Sequence, residues 1–306
     1  MKENLFLKQA DLLVQMLPFI HAEPCFALKG GTAINFFVRD FPRLSVDIDL
    51  VYLPVGDRQA ALRGIGKALH DIATKIRRVM PGTRVHEQKL AGEELVVKLN
   101  VRAQNGAGVK IEPGTVLRGA LFPTEDRHLA PRAARLFARD ATMRTVSVPD
   151  LYGGKLCAAL DRQHPRDLFD VHVLLKNEGI TKDIRRAFVV FLASHDRPMN
   201  ELLAPNRKDL KRVYADQFQG MTFAPVSLAD LEYAREELIT QINAGLTEPE
   251  REFLLSLKRM EPKWDLLGIP GVERLPGPQW KLHNLRKMDP KKRALAEKEL
   301  RRKLRL

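Results

Sequence analysis

The sequence predicts an α+β (or α/β) chain, with a mixed sheet interleaved with helices over residues 1–147 and an all-helical region over 148–306, ending in a basic tail. Three observations carry this. Short β-branched runs with a period of two cluster in the first half. The runs between Arg84 and Val148 follow one another too closely to be joined by crossover helices, which argues against an all-parallel sheet. After Pro149 the strand signals nearly vanish and helical periodicity takes over.

Taken in order, MKENLFLKQADLLVQMLPFI reads as an amphipathic helix, with Asp and Gln between apolar positions where a signal peptide would be continuously apolar. CFALKGG and VDIDLVYL are strands, with TAINFFVRDF helical between them. DRQAALRGIGKALHDIATKIRRVM is a long helix. The strands RVHEQKL, ELVVKLNVRAQ, GVKIEPG and TVSVPD follow. Beyond a boundary at Ser147 to Pro149 come the helices DLYGGKLCAALDR, RDLFDVHVLLKN, DIRRAFVVFLASH, LADLEYAREELITQINAGL and PEREFLLSLKRM. Pro262 to Pro278 reads as an ordered Pro/Gly-rich loop before a last helix, KKRALAEKELRRKL.

A chain of 306 residues has room for two domains of ordinary size. Its two cysteines, Cys25 and Cys157, lie in apolar stretches and provide neither a disulfide framework nor a zinc cluster, which fits a reducing cytoplasm. No apolar run approaches the length of a membrane span, so no membrane partner is expected. The net charge of +13 is uneven: from Lys281 to Leu306, eleven Lys/Arg stand against three acids, a local charge of +8. Such a surface suits a polyanion such as RNA. A solvated helical face gives the same pattern.

In RLSVDIDLVYL, strand alternation puts Ser45, Asp47 and Asp49 on one face and Val46, Ile48 and Leu50 on the other. Two carboxylates this close repel unless they are solvated or share a cation, and hard oxygen ligands of this kind suit Mg²⁺ (or Mn²⁺) carrying substrate phosphates. An edge strand with two solvated aspartates is the plainer reading of that pattern alone. Upstream, Gly30 and Gly31 stand at a strand-to-helix turn where backbone N–H groups can approach a phosphate, and Thr32 either caps the helix or contacts the same anion. GVKIEPG puts Lys110 and Glu112 on one face with Ile111 opposite. If this strand lies beside the Asp47 strand, Glu112 becomes a third carboxylate, as two-metal sites require; otherwise it faces solvent. His172 reads as a packed neutral histidine, Met143 and Met288 as core, and Trp280, Leu282 and Leu285 as core anchors.

KGGTAINFFVRDFPRLSVDIDL resembles the first motif of the DNA-polymerase-β-like nucleotidyltransferases, specifically the AbiEii/AbiGii (MenT-like) toxin family, with its Gly-Gly-Thr, Arg-x-Ser and Asp-x-Asp. VPDLYGGKLCAALDRQHPRDLFDVHVLL resembles that family's second hallmark, a helical Lys followed by Arg-Asp-Leu-Phe-Asp. The likeness extends over most of the chain. It implies a nucleotidyltransferase-fold domain followed by a helical domain, with NTP and Mg²⁺ between them. It also implies that Asp47, Asp49, Glu112, Lys155 and Asp167 are catalytic. Lys29, Gly30, Gly31, Thr32, Arg43 and Ser45 are then expected to bind the NTP, and Asp47, Asp49 and Glu112 the metal. Asp167 also stands near a helix start, where a capping role competes, while Asp170 and Arg166 are secondary candidates. The implied activity is transfer of NMP to an RNA acceptor, the tRNA 3′ end, by the toxin of a toxin–antitoxin or phage-defence pair with a cognate antitoxin. Covalent modification of Ser45 would crowd such a site. Transfer to a protein hydroxyl, and a non-catalytic nucleic-acid-binding module of the same fold, are the alternatives.

Overall fold

The computed structural model describes residues 2–306, with side chains from Leu5 onward. The chain divides into two compact units, the first comprising Met1–Ser147 with Gln219–Pro225 and the second Val148–Phe218 with Val226–Leu306.

Unit 1 is built on one mixed seven-stranded sheet. Its strands are β1 (Phe26–Lys29), β2 (Asp47–Tyr52), β3 (Arg84–Lys89), β4 (Val96–Arg102), β5 (Gly108–Pro113), β6 (Glu125–His128) and β7 (Thr142–Thr145). They lie in the order β3-β4-β5-β2-β1-β7-β6. Two pairings are parallel, β2 with β5 and β1 with β7, and the others are antiparallel. The helices are α1 (Lys2–His21), α2 (Gly30–Ala33), α3 (Arg58–Val79) and α4 (Pro131–Phe137), and α2 runs into a π-helical turn at Ile34–Val38.

The long helix α3 forms because its apolar residues recur at helical spacing. Leu62, Ile65, Leu69, Ile72 and Ile76 are wholly buried, Asp57 accepts a capping bond from Ala60 N at 2.9 Å, and Arg77 and Arg78 close the last turn. That stripe and Leu13, Leu17 and Ile20 of α1 form a core with Ile48, Leu50, Leu99 and Ile111 of the sheet, all fully buried. Each such side chain contributes about 1.5–3 kcal/mol of burial. The polar positions of β2, β4 and β5 therefore point to the opposite face.

Unit 2 is helical. Its elements are α5 (Val148–Arg162), α6 (Pro165–Lys176), α7 (Lys182–Ser194), α8 (Met199–Leu203), α9 (Lys211–Gln217), α10 (Leu228–Gly245), α11 (Glu248–Lys258), α12 (Pro276–Lys287) and α13 (Pro290–Leu304). Reciprocal capping boxes start α10 (Ser227 with Asp230) and α11 (Thr247 with Glu250). The basic helix α13 is held through Leu300 and Leu304, each 1% exposed. No helix among the described residues is long and apolar enough to cross a membrane, and both cysteines are free thiols.

Several elements differ from the sequence expectation. TVSVPD is not a strand: β7 lies earlier, and Val148, Pro149 and Asp150 already form the first turn of α5, where proline's missing N–H has no cost. Strand β6 and helices α4, α8 and α9 were not expected. The Pro262–Pro278 stretch contains two 3₁₀ turns, Trp264–Leu267 and Val272–Arg274, and Pro276 opens α12. Met288 is 37% exposed at the end of α12 and is not core. Met143 is buried, as are Leu282 and Leu285, while Trp280 is only half-buried and stacks on His283. Residues 219–225, expected in the helical half, belong to unit 1. There Leu44 N donates to Met221 O at 2.8 Å, Arg43 bridges to Thr222, and Phe223 lies against Phe41.

Candidate active site

Asp47 and Asp49 are half-buried on β2, alternating with the fully buried Ile48 and Leu50. The ladder supplies their neighbours. Parallel pairing with β5 sets Lys110 beside Asp47 and Glu112 beside Asp49, and antiparallel pairing with β1 sets Lys29 on the other side of Asp49. Glu112 thus stands next to the Asp-x-Asp pair, where it forms an ion pair with Lys98 at 2.6 Å. Lys29 ends β1 with its ammonium near Gly114, in the turn after β5.

The chain after Lys29 turns sharply. Gly30 has φ +71°, a conformation costly for any residue with a Cβ. A Cβ there would lie 2.7 Å from Asp49 Oδ2, and one on Gly31 would lie 2.6 Å from the Arg43 guanidinium. The two glycines therefore leave the Asp49 carboxylate uncovered on one side and let Arg43 and Ser45 close up beneath the turn on the other. Asn35 Nδ2 donates to Gly31 O at 2.8 Å and fixes the turn from within.

Thr32 does not cap the helix. Its hydroxyl is buried, donating to Asp47 O at 2.6 Å and lying 2.9 Å from Ser45 Oγ, so it ties the turn to the start of β2. Ser45 precedes the strand and is 5% exposed, its hydroxyl turned inward. Arg43 is 2% exposed and donates to Leu44 O at 2.8 Å, so its charge lies beneath the turn.

The donor set fits a divalent cation that arrives with a nucleotide. Asp47 and Asp49 supply hard carboxylate oxygens on one face, and Mg²⁺ is ordinarily held by one or two carboxylates plus substrate phosphates. Among the described residues no group of three or more His, Cys, Asp or Glu side chains is gathered as a preformed metal cage, and Glu112 is engaged with Lys98.

A second polar cluster lies within unit 2. The Lys155 ammonium is buried between Asp167 Oδ1 at 2.8 Å and Asp170 Oδ2 at 2.9 Å, and Arg162 reaches Asp167 Oδ2 at 2.8 Å. The cap of α6 is His164, whose ring nitrogen accepts from Arg166 N, so Asp167 is not the N-cap; it sits inside the first turn with both oxygens in ion pairs. Burial, reinforced by Lys176, holds the His172 imidazole below its ordinary range, which keeps it neutral at pH 7.

Residues 11–275 match the family model described as nucleotidyl transferase AbiEii toxin, type IV toxin–antitoxin system. The chain belongs to the AbiEii nucleotidyltransferase toxin family. No curated protein matches it by sequence. The fold is that of MenT4, a nucleotidyltransferase toxin from Mycobacterium tuberculosis H37Rv, with a TM-score of 0.62 over 90% of this chain and 92% of that one at 16% identity.

Within this AbiEii chain, sequence reasoning overlooked Asn35, Lys98 and Arg162. Lys98 had a signal, since period two in VVKLNVR puts it on the polar face. Arg162 had none, because its partner Asp167 is reached across the junction between two helices.

Proposed function

We propose that this chain transfers a nucleoside monophosphate from an NTP to the 3′-terminal hydroxyl of an RNA, tRNA being the expected acceptor. The observation that carries this reading is the juxtaposition of the Asp47–Asp49 carboxylates with the Gly30–Gly31 turn, in a member of a nucleotidyltransferase family.

The acceptor hydroxyl oxygen forms a bond to the α-phosphorus, the bond from that phosphorus to the bridging oxygen breaks, and pyrophosphate leaves with the electron pair. Glu112, released from Lys98 when substrate binds, accepts or orients the hydroxyl proton. Asp47 and Asp49 are the residues that would hold Mg²⁺ or Mn²⁺, which when bound offsets charge on the phosphates. N–H groups at the start of a helix have no intrahelical acceptor, and Gly30 and Gly31 offer theirs to the triphosphate. Lys29 adds a cation beside the same turn. Arg43, Ser45 and Thr32 act by fixing the turn. We further assign Lys155 and Asp167 to the reaction on the family's second motif, supported within unit 2 by the burial of that ammonium.

In the cell this activity makes the chain the toxin of a toxin–antitoxin or phage-defence pair, acting in the cytoplasm and restrained by a cognate antitoxin. Purified protein with Mg²⁺ and each α-labelled NTP in turn, offered total tRNA and total protein, tests the reading against the double variant Asp47→Ala/Asp49→Ala. Label on RNA that the variant fails to add supports it. Label on protein alone transfers the reading to a protein hydroxyl, and no label on either leaves a non-catalytic binding module.

A further inference from the structure

The polar face of the sheet continues outward from β2. Register carries one row from Asp47 through Lys110 and Asn100 to His86, across β2, β5, β4 and β3. A second row sets Arg102 beside Arg84, and a third sets Lys98 beside Gln88. The opposite face is the covered one: Leu99, Val101, Val109 and Ile111 are buried there, and Glu87 of β3 turns that way to meet His70 and Arg77 of α3.

On the open face Arg84, His86, Gln88, Arg102 and Lys110 are exposed. Arg84, Arg102 and Lys110 have no carboxylate partner among the described residues. In β3, β4 and β5 the one acid on this face is Glu112, already paired with Lys98. Asn100 reaches Gln88 across the strands at 3.5 Å, so amides and an imidazole fill the space between the cations. The strip spans three inter-strand spacings, about 14 Å, and it begins at the two aspartates.

We infer that this face of β5, β4 and β3 is the track on which a single-stranded RNA end lies, its phosphates on Lys110, Arg102 and Arg84 and its terminal hydroxyl at Asp47 and Asp49. The inference rests on the RNA-transfer reading above. Charge complementarity selects the occupant. Unpartnered cations suit a phosphate backbone, and the interleaved amides and imidazole offer hydrogen bonds to bases and 2′-hydroxyls. An open sheet also gives an unpaired strand the flat platform that sheet-based RNA readers use.

The test is binding of a labelled single-stranded RNA oligonucleotide to the full chain, by fluorescence anisotropy over a range of salt. It compares the unaltered protein with Arg84→Ala/Arg102→Ala/Lys110→Ala. A control, Arg63→Ala/Lys67→Ala/Arg78→Ala, removes the same charge from the exposed side of α3. On a single strand each phosphate contact contributes about 0.7 to the salt slope, or about 2 for three. The sheet variant is expected to bind at least about 10-fold more weakly with its slope reduced by about 2, keeping its NTP affinity, while the control binds as the unaltered protein does. If both triple variants weaken equally, or neither weakens, the track is overturned and RNA transfer stands. If the unaltered protein does not bind RNA, both readings fall together.

Discussion

Gly30 and Asp49 are in contact by necessity: the turn that leaves β1 passes so close to β2 that a Cβ on residue 30 would sit 2.7 Å from Asp49 Oδ2. With φ at +71°, position 30 also excludes side chains on backbone grounds. Gly30→Ala is therefore expected to lower unfolding free energy by about 1–2 kcal/mol. Because the carboxylate itself must move, NMP transfer is expected to fall by more than stability explains, at least about 100-fold, which is about 2.7 kcal/mol. Urea unfolding beside initial transfer rates reads both. Full activity at reduced stability would make the glycine a folding residue only.

Lys155 sits between two buried carboxylates, so removing its charge takes an ion-pair partner from Asp167 and from Asp170 together, while Arg162 stays on Asp167. Lys155→Met is expected to cost about 3–5 kcal/mol. Lys155→Met/Asp170→Asn, which removes one charge of each sign, is expected to recover most of that loss, a non-additivity typical of contacting groups. The balanced double variant also separates brace from reagent. Transfer that stays lost in a folded protein assigns Lys155 to the reaction; transfer that returns assigns it to architecture.

The adjacent glycines of α5 are expected to behave oppositely. A Cβ on Gly153 would lie 2.7–2.8 Å from Ala187 and the backbone of Phe188, where α5 meets α7, whereas one on Gly154 finds ordinary contact with Phe191 at 3.6 Å. Gly153→Ala should destabilise by about 1–3 kcal/mol through overpacking. Gly154→Ala should stabilise by up to about 1 kcal/mol, since alanine is the better helix former. Thermal unfolding of the two variants decides it, and equal shifts in the same direction would contradict the close approach of α5 and α7.

What could be read in the sequence follows how each element earns its stability. Strands β2, β4 and β5 were visible because one face of each is buried, which imposes a period of two, and β3 was visible because it alternates half-buried with exposed positions. Strand β6 is EDRH at the sheet edge, with no buried face and hence no pattern. Helix α12 was hidden by Pro276 and Pro278, which mark a loop in sequence but are tolerated in a helix's first turn. At the site, Asp47, Asp49 and Glu112 were legible from alternation, but that β5 pairs with β2 is a fact of topology. The inward turn of Thr32, Arg43 and Ser45 was equally out of reach. Polar residues in a glycine-rich motif look alike whether they face a ligand or each other, and only the packing around Gly31 distinguishes them.

Lys281 should make stability depend on alkaline pH. The residue is 8% exposed, and its ammonium closes the end of α7, donating to His195 O at 2.6 Å and Arg197 O at 3.2 Å. Burial, with Lys258 adding repulsion, lowers its pKa from 10.5 to about 8. Between those values the unfolded chain holds a proton that the folded chain has released, so stability rises with pH across that window, and the burden of burying the charge is fully present below about 8. Each pKa unit is worth about 1.36 kcal/mol, so most of the effect, about 2 kcal/mol, should appear between about pH 7.5 and about pH 10. Other titrating groups change over the same range, and subtracting Lys281→Met removes their contribution. The measurement is urea unfolding of both proteins at the two pH values. The unaltered protein should gain about 2 kcal/mol on the variant at the higher pH, whatever their difference at the lower one. A constant difference would mean that Lys281 keeps an ordinary pKa, solvated despite its position under α7.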